Sequence, residues 1–301
     1  MLSVIIVNWN AGDYLGRCLD TIYAGNLNET LEVIVVDNNS ADRSAEFIGE
    51  KYPQVKLIVN RQNVGFARAN NQALQEALGD LILLLNPDTE IKPDTLQIMV
   101  DFIQSRPECG IAGCKVLNPD GTLQQACRRN IPTIADAFFK LTGLSRFFPG
   151  SPRFSRYNLT YLPADQLAVV DAVSGSFMIT RREVVARIGF LDERFFMYGE
   201  DLDWCLRARQ AGYQNYYFPA TSIIHYHGQS SRQRPLRAAY CFYQAMYLFY
   251  CKHTAPPWSR PLIRLASLFA FLAALPKIFW LNCKQRTVLP VNGRTINKQD
   301  E

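Results

Sequence analysis

Short runs of aliphatic and β-branched residues alternate with longer amphipathic stretches along the first 130 residues. The apolar runs are continuous, which is typical of strands that helices cover on both faces. They predict strands at residues 4–7, 31–36, 55–59, 81–85 and 110–116. Helical patterns lie between them, near residues 13–24, 41–51, 66–78 and 93–105. This alternation predicts an α/β fold with a mainly parallel central sheet and helices on both faces.

The pattern changes after residue 130. From about 130 to 165 the chain is rich in Pro, Phe, Arg and Ser, which predicts a long, partly mobile connection. Connections of this length in a compact domain are often functional. Beyond it, further strands are expected at 168–173, 175–180, 213–218 and 222–225, and helices near 181–188 and 200–210.

The C-terminal part differs from the rest in charge. Residues 228–301 carry eleven Lys and Arg against two acids, a net charge of +9, whereas residues 1–227 carry −4. The same part is apolar and aromatic, but its run at 265–275 is too short for a bilayer core that needs about 20 residues. These features predict a helical segment attached to a membrane surface. Helices that pack on the body or on another subunit are the alternative, and nucleic-acid binding is not expected.

The overall composition narrows the protein class. A hydrophobic content of 48% and a charged content of 20% over 301 residues are those of a globular protein. The eight cysteines form no C-x-x-C pair, so a zinc ribbon or a thioredoxin-like site is not expected, and scattered thiols are typical of a reducing cytoplasm. The first apolar run lacks a preceding basic region, so we expect a cytoplasmic protein without a signal peptide.

Polar residues follow the predicted strands at their carboxyl ends, the edge where open α/β sheets bind ligands. Asn8 follows the first strand, and Asp37 follows the second, where it can bind a ligand or cap a helix. No G-x-G-x-x-G follows the first strand, so a nicotinamide cofactor is not expected. Gly65, Arg68 and Asn70 open the third helix, either as a sugar or phosphate site or as a tight turn.

Two segments offer ligands for a metal ion. Asp88 ends an Asn86-Pro87-Asp88 turn, and its carboxylate can hold a hard divalent cation. His225 and His227 are two apart on a predicted strand and therefore share a face, where they can meet a metal or a phosphate. A solvated turn aspartate and structural histidines are the alternatives.

Three acids lie at the start of the helix predicted at 200–210. Asp203 has Arg207 four residues later, which predicts a structural ion pair. Asp201, supported by Glu200, therefore becomes the candidate for proton abstraction from a bound hydroxyl. The alternative is that all three acids only complement the helix dipole.

Several motifs follow one another in order: Asn8, Asp37-Asn38-Asn39-Ser40, Asn63-Val64-Gly65-Phe66-Ala67, Asn86-Pro87-Asp88, Gly199-Glu200-Asp201 and His225-x-x-Gly228-x-Ser230. Together they resemble an inverting family 2 glycosyltransferase, and most of all its bacterial rhamnosyltransferase-like members. The resemblance implies a Rossmann-like GT-A fold over residues 1–230. Its nucleotide-sugar-binding half would span about 1–115 and its acceptor-binding, catalytic half about 116–230. A basic, apolar helical segment would follow at 231–301.

The resemblance also implies roles for the residues above. The nucleotide-sugar site would contain Asn8, Asp37, Asn39, Gly65, Arg68, Asn70 and Asp88. Asp88 would bind Mg²⁺ or Mn²⁺, with His225, or alternatively His227, near the metal and the diphosphate. Asn86 replaces the first acid of the D-x-D motif, which removes one negative charge from the metal site. Asp201 would be the catalytic base, with Glu200 beside it.

The implied activity is transfer of a sugar, with inversion, from a nucleotide-diphosphate donor such as dTDP-rhamnose. The acceptor would be a hydroxyl of a saccharide or a lipid-linked saccharide in cell-surface polysaccharide assembly. Such an enzyme would lie on the cytoplasmic face of the inner membrane as a peripheral protein. A sugar nucleotidyltransferase and a catalytically silent sugar-nucleotide-binding scaffold are the alternatives.

Overall fold

A computed structural model describes residues 1–226, 228 and 233–286. Its first half contains β1 (Leu2–Asn8), α1 (Asp13–Tyr23), β2 (Leu31–Asp37), α2 (Ser44–Lys51), β3 (Lys56–Val59), α3 (Phe66–Glu76) and β4 (Leu81–Leu85). The four strands are parallel and lie in the order β3-β2-β1-β4. Every residue of β1 and β4 is buried, because both faces of these strands are covered. The predicted alternation of strands and helices is confirmed.

The second half contains β5 (Thr89–Ile91), α4 (Thr95–Gln104), β6 (Cys109–Leu117), β7 (Arg128–Arg129), α5 (Ile134–Leu141), α6 (Leu144–Phe147), β8 (Ala168–Val170), β9 (Ala172–Val173), β10 (Phe177–Arg181), α7 (Arg182–Ile188), α8 (Glu200–Gln210) and β11 (Gln214–His225). Within the described residues, five of these strands join β1–β4 in a nine-stranded sheet of order β3-β2-β1-β4-β10-β6-β11-β5, with β8 paired to β11. β10 is antiparallel to both β4 and β6, and β11 is parallel to β6. The α/β class and the mostly parallel sheet agree with the sequence.

Residues 130–165, called the insert below and predicted as a long, partly mobile connection, contain regular secondary structure. They contain α5 and α6, and α5 begins with a capping box in which Thr133 and Asp136 bond each other's backbone N–H groups. Arg156 pairs with Asp136 at 2.7 Å and ties a later part of the insert to this helix start. Aromatic contacts such as Phe139 with Phe154 fill its interior. The insert is therefore a small folded unit within the second half of the chain.

Two helices complete the described chain, α9 (Pro235–His253) and α10 (Arg260–Arg286). α9 packs on the body through the buried side chains of Cys241, Ala245 and Phe249. α10 packs on α9, with the Phe271 ring 6.1 Å from the ring of Tyr240. The division of the chain at residue 230 stays a prediction.

The apolar run at 265–275 is only part of a longer apolar helical stretch. The 20 residues Pro257–Pro276 are long and apolar enough to cross a membrane, and none of this stretch is buried. Our expectation that the segment is too short to span a bilayer is therefore wrong. The helix continues through Arg264 and through Pro276, which the sequence pattern treated as flanking residues.

Candidate active site

The ends of β1 and β2 bring two predicted residues into direct contact. The Asn8 amide donates hydrogen bonds to Asp37 Oδ1 and Ser44 Oγ, both at 2.7 Å. Asp37 Oδ2 accepts a hydrogen bond from the Ser40 backbone N–H at 2.9 Å, so the buried carboxylate is held on both sides. Within the part of the chain that the structure describes, Asn8 Oδ1 is buried without a partner. Asn39 is exposed in the left-handed conformation, with φ of 64°.

Asn38, which the sequence placed in the Asp37-Asn38-Asn39-Ser40 motif without a role, is a further buried residue here. Its amide donates to the Gly65 carbonyl at 3.1 Å, and its oxygen accepts from Asn60 at 3.0 Å, so it joins the end of β2 to the start of α3. Its only signal in the sequence was its place directly after Asp37. These hydrogen bonds hold the loop after β2 and the loop before α3 together at the carboxyl edge of the sheet.

The start of α3 is in close contact with the segment that precedes α8. Gly65 has φ of 91°, and a Cβ there would lie 2.7 Å from the Phe196 carbonyl oxygen, so this contact requires glycine. Arg68 has a side chain that is 60% exposed and lies 3.8 Å from Glu193. Asn70 is buried and donates back to the Phe66 carbonyl at 2.9 Å. The predicted ligand roles of Gly65, Arg68 and Asn70 stay predictions.

The expected metal residues meet where β4 and β11 end. His225 Nε2 lies 3.1 Å from Asp88 Oδ1 and 3.3 Å from the Asn86 amide nitrogen. Its other ring nitrogen lies 2.9 Å from Gln124 Oε1, a partner 101 residues away that sequence reasoning missed. The ring is therefore fixed from both sides, as second partners commonly fix metal-binding imidazoles. His227, the alternative to His225, lies outside the described residues.

The chemistry of this cluster fits a hard or borderline cation with an incomplete set of protein ligands. Asp88 offers a carboxylate, His225 an imidazole and Asn86 a neutral amide, which suit Mn²⁺ or, with more oxygen ligands, Mg²⁺. No group of three or more His, Cys, Asp or Glu side chains in metal-binding arrangement occurs among residues 1–226, 228 and 233–286. A cation here would take its remaining ligands from the phosphates of a donor and from water.

α8 begins after Gly199 and presents Asp201 in a fixed orientation. Asp201 Oδ2 accepts hydrogen bonds from Arg129 Nη2 at 2.5 Å and from the Gly175 N–H at 3.1 Å. Its Oδ1 accepts from the Leu202 N–H at 2.7 Å. Burial alone would lower the pKa of Arg129, but the charge of Asp201 raises it above its usual value. Arg129, 72 residues before Asp201, is thus a positioning partner that the sequence did not reveal.

Glu200 and Asp203, the other two acids at the start of α8, differ from Asp201 in their burial and in their partners. Glu200 is buried, its Oε2 has no partner in the described part of the chain, and burial, with the Asp201 charge added, raises its pKa to about 8. The Glu200 carboxyl is therefore mostly protonated at neutral pH. Asp203 is fully buried and pairs with Arg207 as predicted, at 2.9 Å. It also binds Lys252 at 2.6 Å and His253 at 2.7 Å, which joins the end of α9 to α8.

The family model for glycosyl transferase family 2 matches residues 3–189. The chain belongs to this family. Rhamnosyltransferase WbbL of Escherichia coli K12 is 30% identical over 240 residues, which cover 77% of this chain and 86% of that protein. An N-acetylglucosaminyl-diphospho-decaprenol L-rhamnosyltransferase of Mycobacterium tuberculosis is 25% identical over 273 residues, which cover 87% of this chain and 88% of that protein.

Solved glycosyltransferases share the fold of this family 2 enzyme. The mannosyltransferase PcManGT of Pyrobaculum calidifontis, solved with GDP-Man and Mn²⁺, superposes with a TM-score of 0.58 at 20% identity, over 96% of this chain and 76% of that one. The expected family, fold class and enzyme class are thus confirmed. The role of each site residue in this glycosyltransferase stays a prediction.

Proposed function

We propose that this glycosyltransferase transfers a hexose, with L-rhamnose from dTDP-rhamnose as the first candidate, to a hydroxyl of a lipid-linked saccharide in cell-surface polysaccharide assembly. Two rhamnosyltransferase relatives that align along most of the chain support the sugar. The name of the Mycobacterium tuberculosis relative, with its N-acetylglucosaminyl-diphospho-decaprenol acceptor, supports the acceptor class.

One geometric observation carries the proposed reaction. The segment before β10 contacts both halves of the site: the Gly175 N–H donates to Asp201 at 3.1 Å, and the Ser176 carbonyl accepts from the Asn86 N–H at 3.1 Å. Adjacent residues therefore connect the candidate base with the turn that carries Asp88. A donor whose diphosphate lies at Asp88 would have its sugar near Asp201.

In the proposed mechanism, Asp201 takes the proton from the acceptor hydroxyl. The hydroxyl oxygen forms a bond to the anomeric carbon on the face opposite the diphosphate, the bond to the diphosphate oxygen breaks, and the configuration inverts. Arg129 holds the Asp201 carboxylate in place, and a protonated Glu200 beside it adds no second negative charge. A Mg²⁺ or Mn²⁺ ion held by Asp88 and His225, with Asn86 near it, supplies positive charge to the leaving diphosphate when bound.

The nucleoside part of the donor would bind at the other end of the same edge. Asp37, held by Asn8, has the position to accept hydrogen bonds from the base or the ribose. Exposed Asn39 and Arg68 are available to the ribose and the phosphates, and Gly65 keeps the α3 loop close to them. Asn70 supports this loop from inside α3.

A transfer assay tests the proposed activity. The enzyme is incubated with dTDP-rhamnose and an N-acetylglucosaminyl-diphospho-prenol in the presence of Mn²⁺. We expect release of the nucleoside diphosphate and a rhamnosylated product whose new bond has the inverted configuration by NMR. Retention of configuration, or release of pyrophosphate as a nucleotidyltransferase would produce, would contradict the proposal. A panel of other nucleotide sugars in the same assay identifies the donor if rhamnose is not transferred.

We also propose that α10 attaches the enzyme to the cytoplasmic face of the inner membrane. Its outer side presents exposed apolar side chains that recur with the helical turn and form one stripe, namely Leu262, Leu265, Leu268, Phe269 and Leu272. Exposed Trp258 lies just before the helix. The net charge of +9 over residues 228–301 favours an anionic lipid surface. Attachment there would bring Asp201 to a lipid-linked acceptor.

Two charges placed on this stripe are expected to release the enzyme from vesicles. Leu265→Glu with Phe269→Glu changes side chains that are 63% and 74% exposed, so folding is expected to be unaffected. In flotation with anionic vesicles, the wild type should be found in the vesicle fraction and the variant should not. Val59→Glu with Leu78→Glu is a matched control, because it adds the same charge at exposed positions elsewhere. Resistance of the wild type to both high salt and alkaline extraction would show a membrane span instead of surface attachment.

A further inference from the structure

A pocket of about 430 Å³ lies within the insert and has no role in the reaction described above. It is formed by α5, by α6 and by the segment that follows them. Polar, charged and aromatic side chains line it, among them Gln125, Asp136, Lys140, Arg146, Phe154 and Tyr157.

The pocket is linked to the candidate base, Asp201, and to the histidine of the candidate metal site, His225. The Tyr157 carbonyl accepts a hydrogen bond from the Asn130 N–H at 2.8 Å, and Asn130 directly follows Arg129, which holds Asp201 at 2.5 Å. On the other side, Gln125 directly follows Gln124, whose side chain contacts the His225 ring at 2.9 Å. The pocket is therefore connected through neighbouring residues to the Arg129–Asp201 pair and to His225.

The charge in and around the pocket favours an anion. Both acids of the insert are engaged, Asp136 with Arg156 and Asp165 with Lys115. Lys140 and Arg146 are exposed and form no ion pair within the part of the chain that the structure describes. Two unpaired cations that line one pocket are suited to phosphate oxygens.

The surface that α5 and α6 form around the pocket is apolar. Four large side chains there are between 51% and 79% exposed, and exposure of this extent marks contact with a partner or a lipid. They are Ile134, Phe138, Phe147 and Phe148. The insert thus combines two exposed cations at one pocket with an exposed apolar surface.

We propose that this pocket binds the sugar-diphosphate head of a lipid-linked acceptor. Lys140 and Arg146 pair with the diphosphate, Phe154 and Tyr157 contact the sugar ring, and the exposed apolar side chains contact the first part of the lipid. This inference rests on the proposed function and names the part of the chain that recognises its acceptor.

The test removes the two cations with Lys140→Ala and Arg146→Ala together. The probe is N-acetylglucosaminyl diphosphate linked to a short prenyl chain that is soluble without detergent. We expect its dissociation constant, measured by calorimetry without donor, and its KM in transfer to rise about tenfold or more, the scale of a lost charge-assisted contact. The dissociation constant for the donor should stay the same. Lys92→Ala with Arg187→Ala, exposed cations outside the pocket, is the matched control and should bind the probe like the wild type.

Three results would overturn the inference. Unchanged probe binding by the double variant would show that the two cations do not hold the diphosphate. An equal loss with an octyl N-acetylglucosaminide, which has no phosphate, would show a general defect of the pocket. A loss that occurs only on anionic vesicles would assign the cations to membrane lipids. If the wild type binds the probe but transfers no sugar to it, the proposed function fails, while the binding comparison still decides the role of the pocket.

Discussion

Asp201→Asn is expected to lower turnover by about 10²- to 10⁴-fold, the usual contribution of a general base. Donor affinity should stay within a few-fold of the wild type, because an amide of the same size still accepts hydrogen bonds from Gly175 and Arg129. Turnover is measured by release of the nucleoside diphosphate, and donor affinity by calorimetry. A variant that keeps more than about a tenth of wild-type turnover would show that Asp201 is not the base.

Asp203→Asn provides the matched control on the same helix. Asp203 is fully buried and pairs with Arg207, Lys252 and His253, so its loss should cost about 3–5 kcal/mol of stability, the range for breaking a buried ion pair. Turnover should persist at temperatures where the variant is folded. Thermal unfolding measures the first effect and the transfer assay the second. Loss of turnover in a folded Asp203→Asn protein would mean that the two acids act together.

The stability effect of Asp203 has a defined pH dependence. Burial alone would raise the pKa of Asp203, but hydrogen bonds from His253 and Lys252 and the charge of Arg207 outweigh it and lower the pKa. A carboxyl group whose pKa is lower in the folded than in the unfolded state stabilises above its unfolded pKa of about 3.9. This stabilisation is lost as the pH falls through the folded value. The difference in stability between the wild type and Asp203→Asn should therefore shrink below about pH 4.

Asp88→Ala and Asp37→Ala are expected to weaken donor binding under different conditions. Asp88→Ala should raise the dissociation constant of a nucleoside diphosphate about tenfold or more in Mn²⁺ and leave it unchanged in a chelator, because Asp88 acts through a cation. Asp37→Ala should raise it under both conditions, because Asp37 contacts the nucleoside directly. Calorimetry with and without Mn²⁺ measures both. If Asp88→Ala weakens binding of the nucleoside diphosphate equally with and without Mn²⁺, Asp88 does not act through a cation.

Asn86→Asp tests the effect of the amide that stands in place of the first acid of the D-x-D motif. Restoring a carboxylate 3.3 Å from His225 in the present arrangement should tighten Mn²⁺ binding in the presence of the nucleoside diphosphate. No change would show that the side chain at position 86 only supports His225. Titration with Mn²⁺ at fixed nucleotide concentration gives the answer directly.

The sequence by itself determined most of the strands and helices and the positions of the polar residues at strand ends, but not the short strands β5 and β7. Asn8 and Asp37 illustrate why: each directly follows an apolar run, and parallel strands in register place their last residues side by side. The Asp203–Arg207 pair was also predictable, because residues four apart lie on one face of a helix. Signals of this kind depend on neighbours along the chain.

Only the tertiary structure decided which distant residues complete the site. Arg129 reaches Asp201 across 72 residues, and Gln124 reaches His225 across 101, through strands that the fold brings together. The insert folds because contacts between half-buried aromatic rings and the Asp136–Arg156 pair stabilise short helices whose periodicity is too weak to recognise. α10 is longer than its apolar run because its inner side packs on α9, where Phe271 lies against Tyr240 and Tyr243. Packing between distant segments leaves no local pattern in the sequence, because its partner residues come together only when the chain folds.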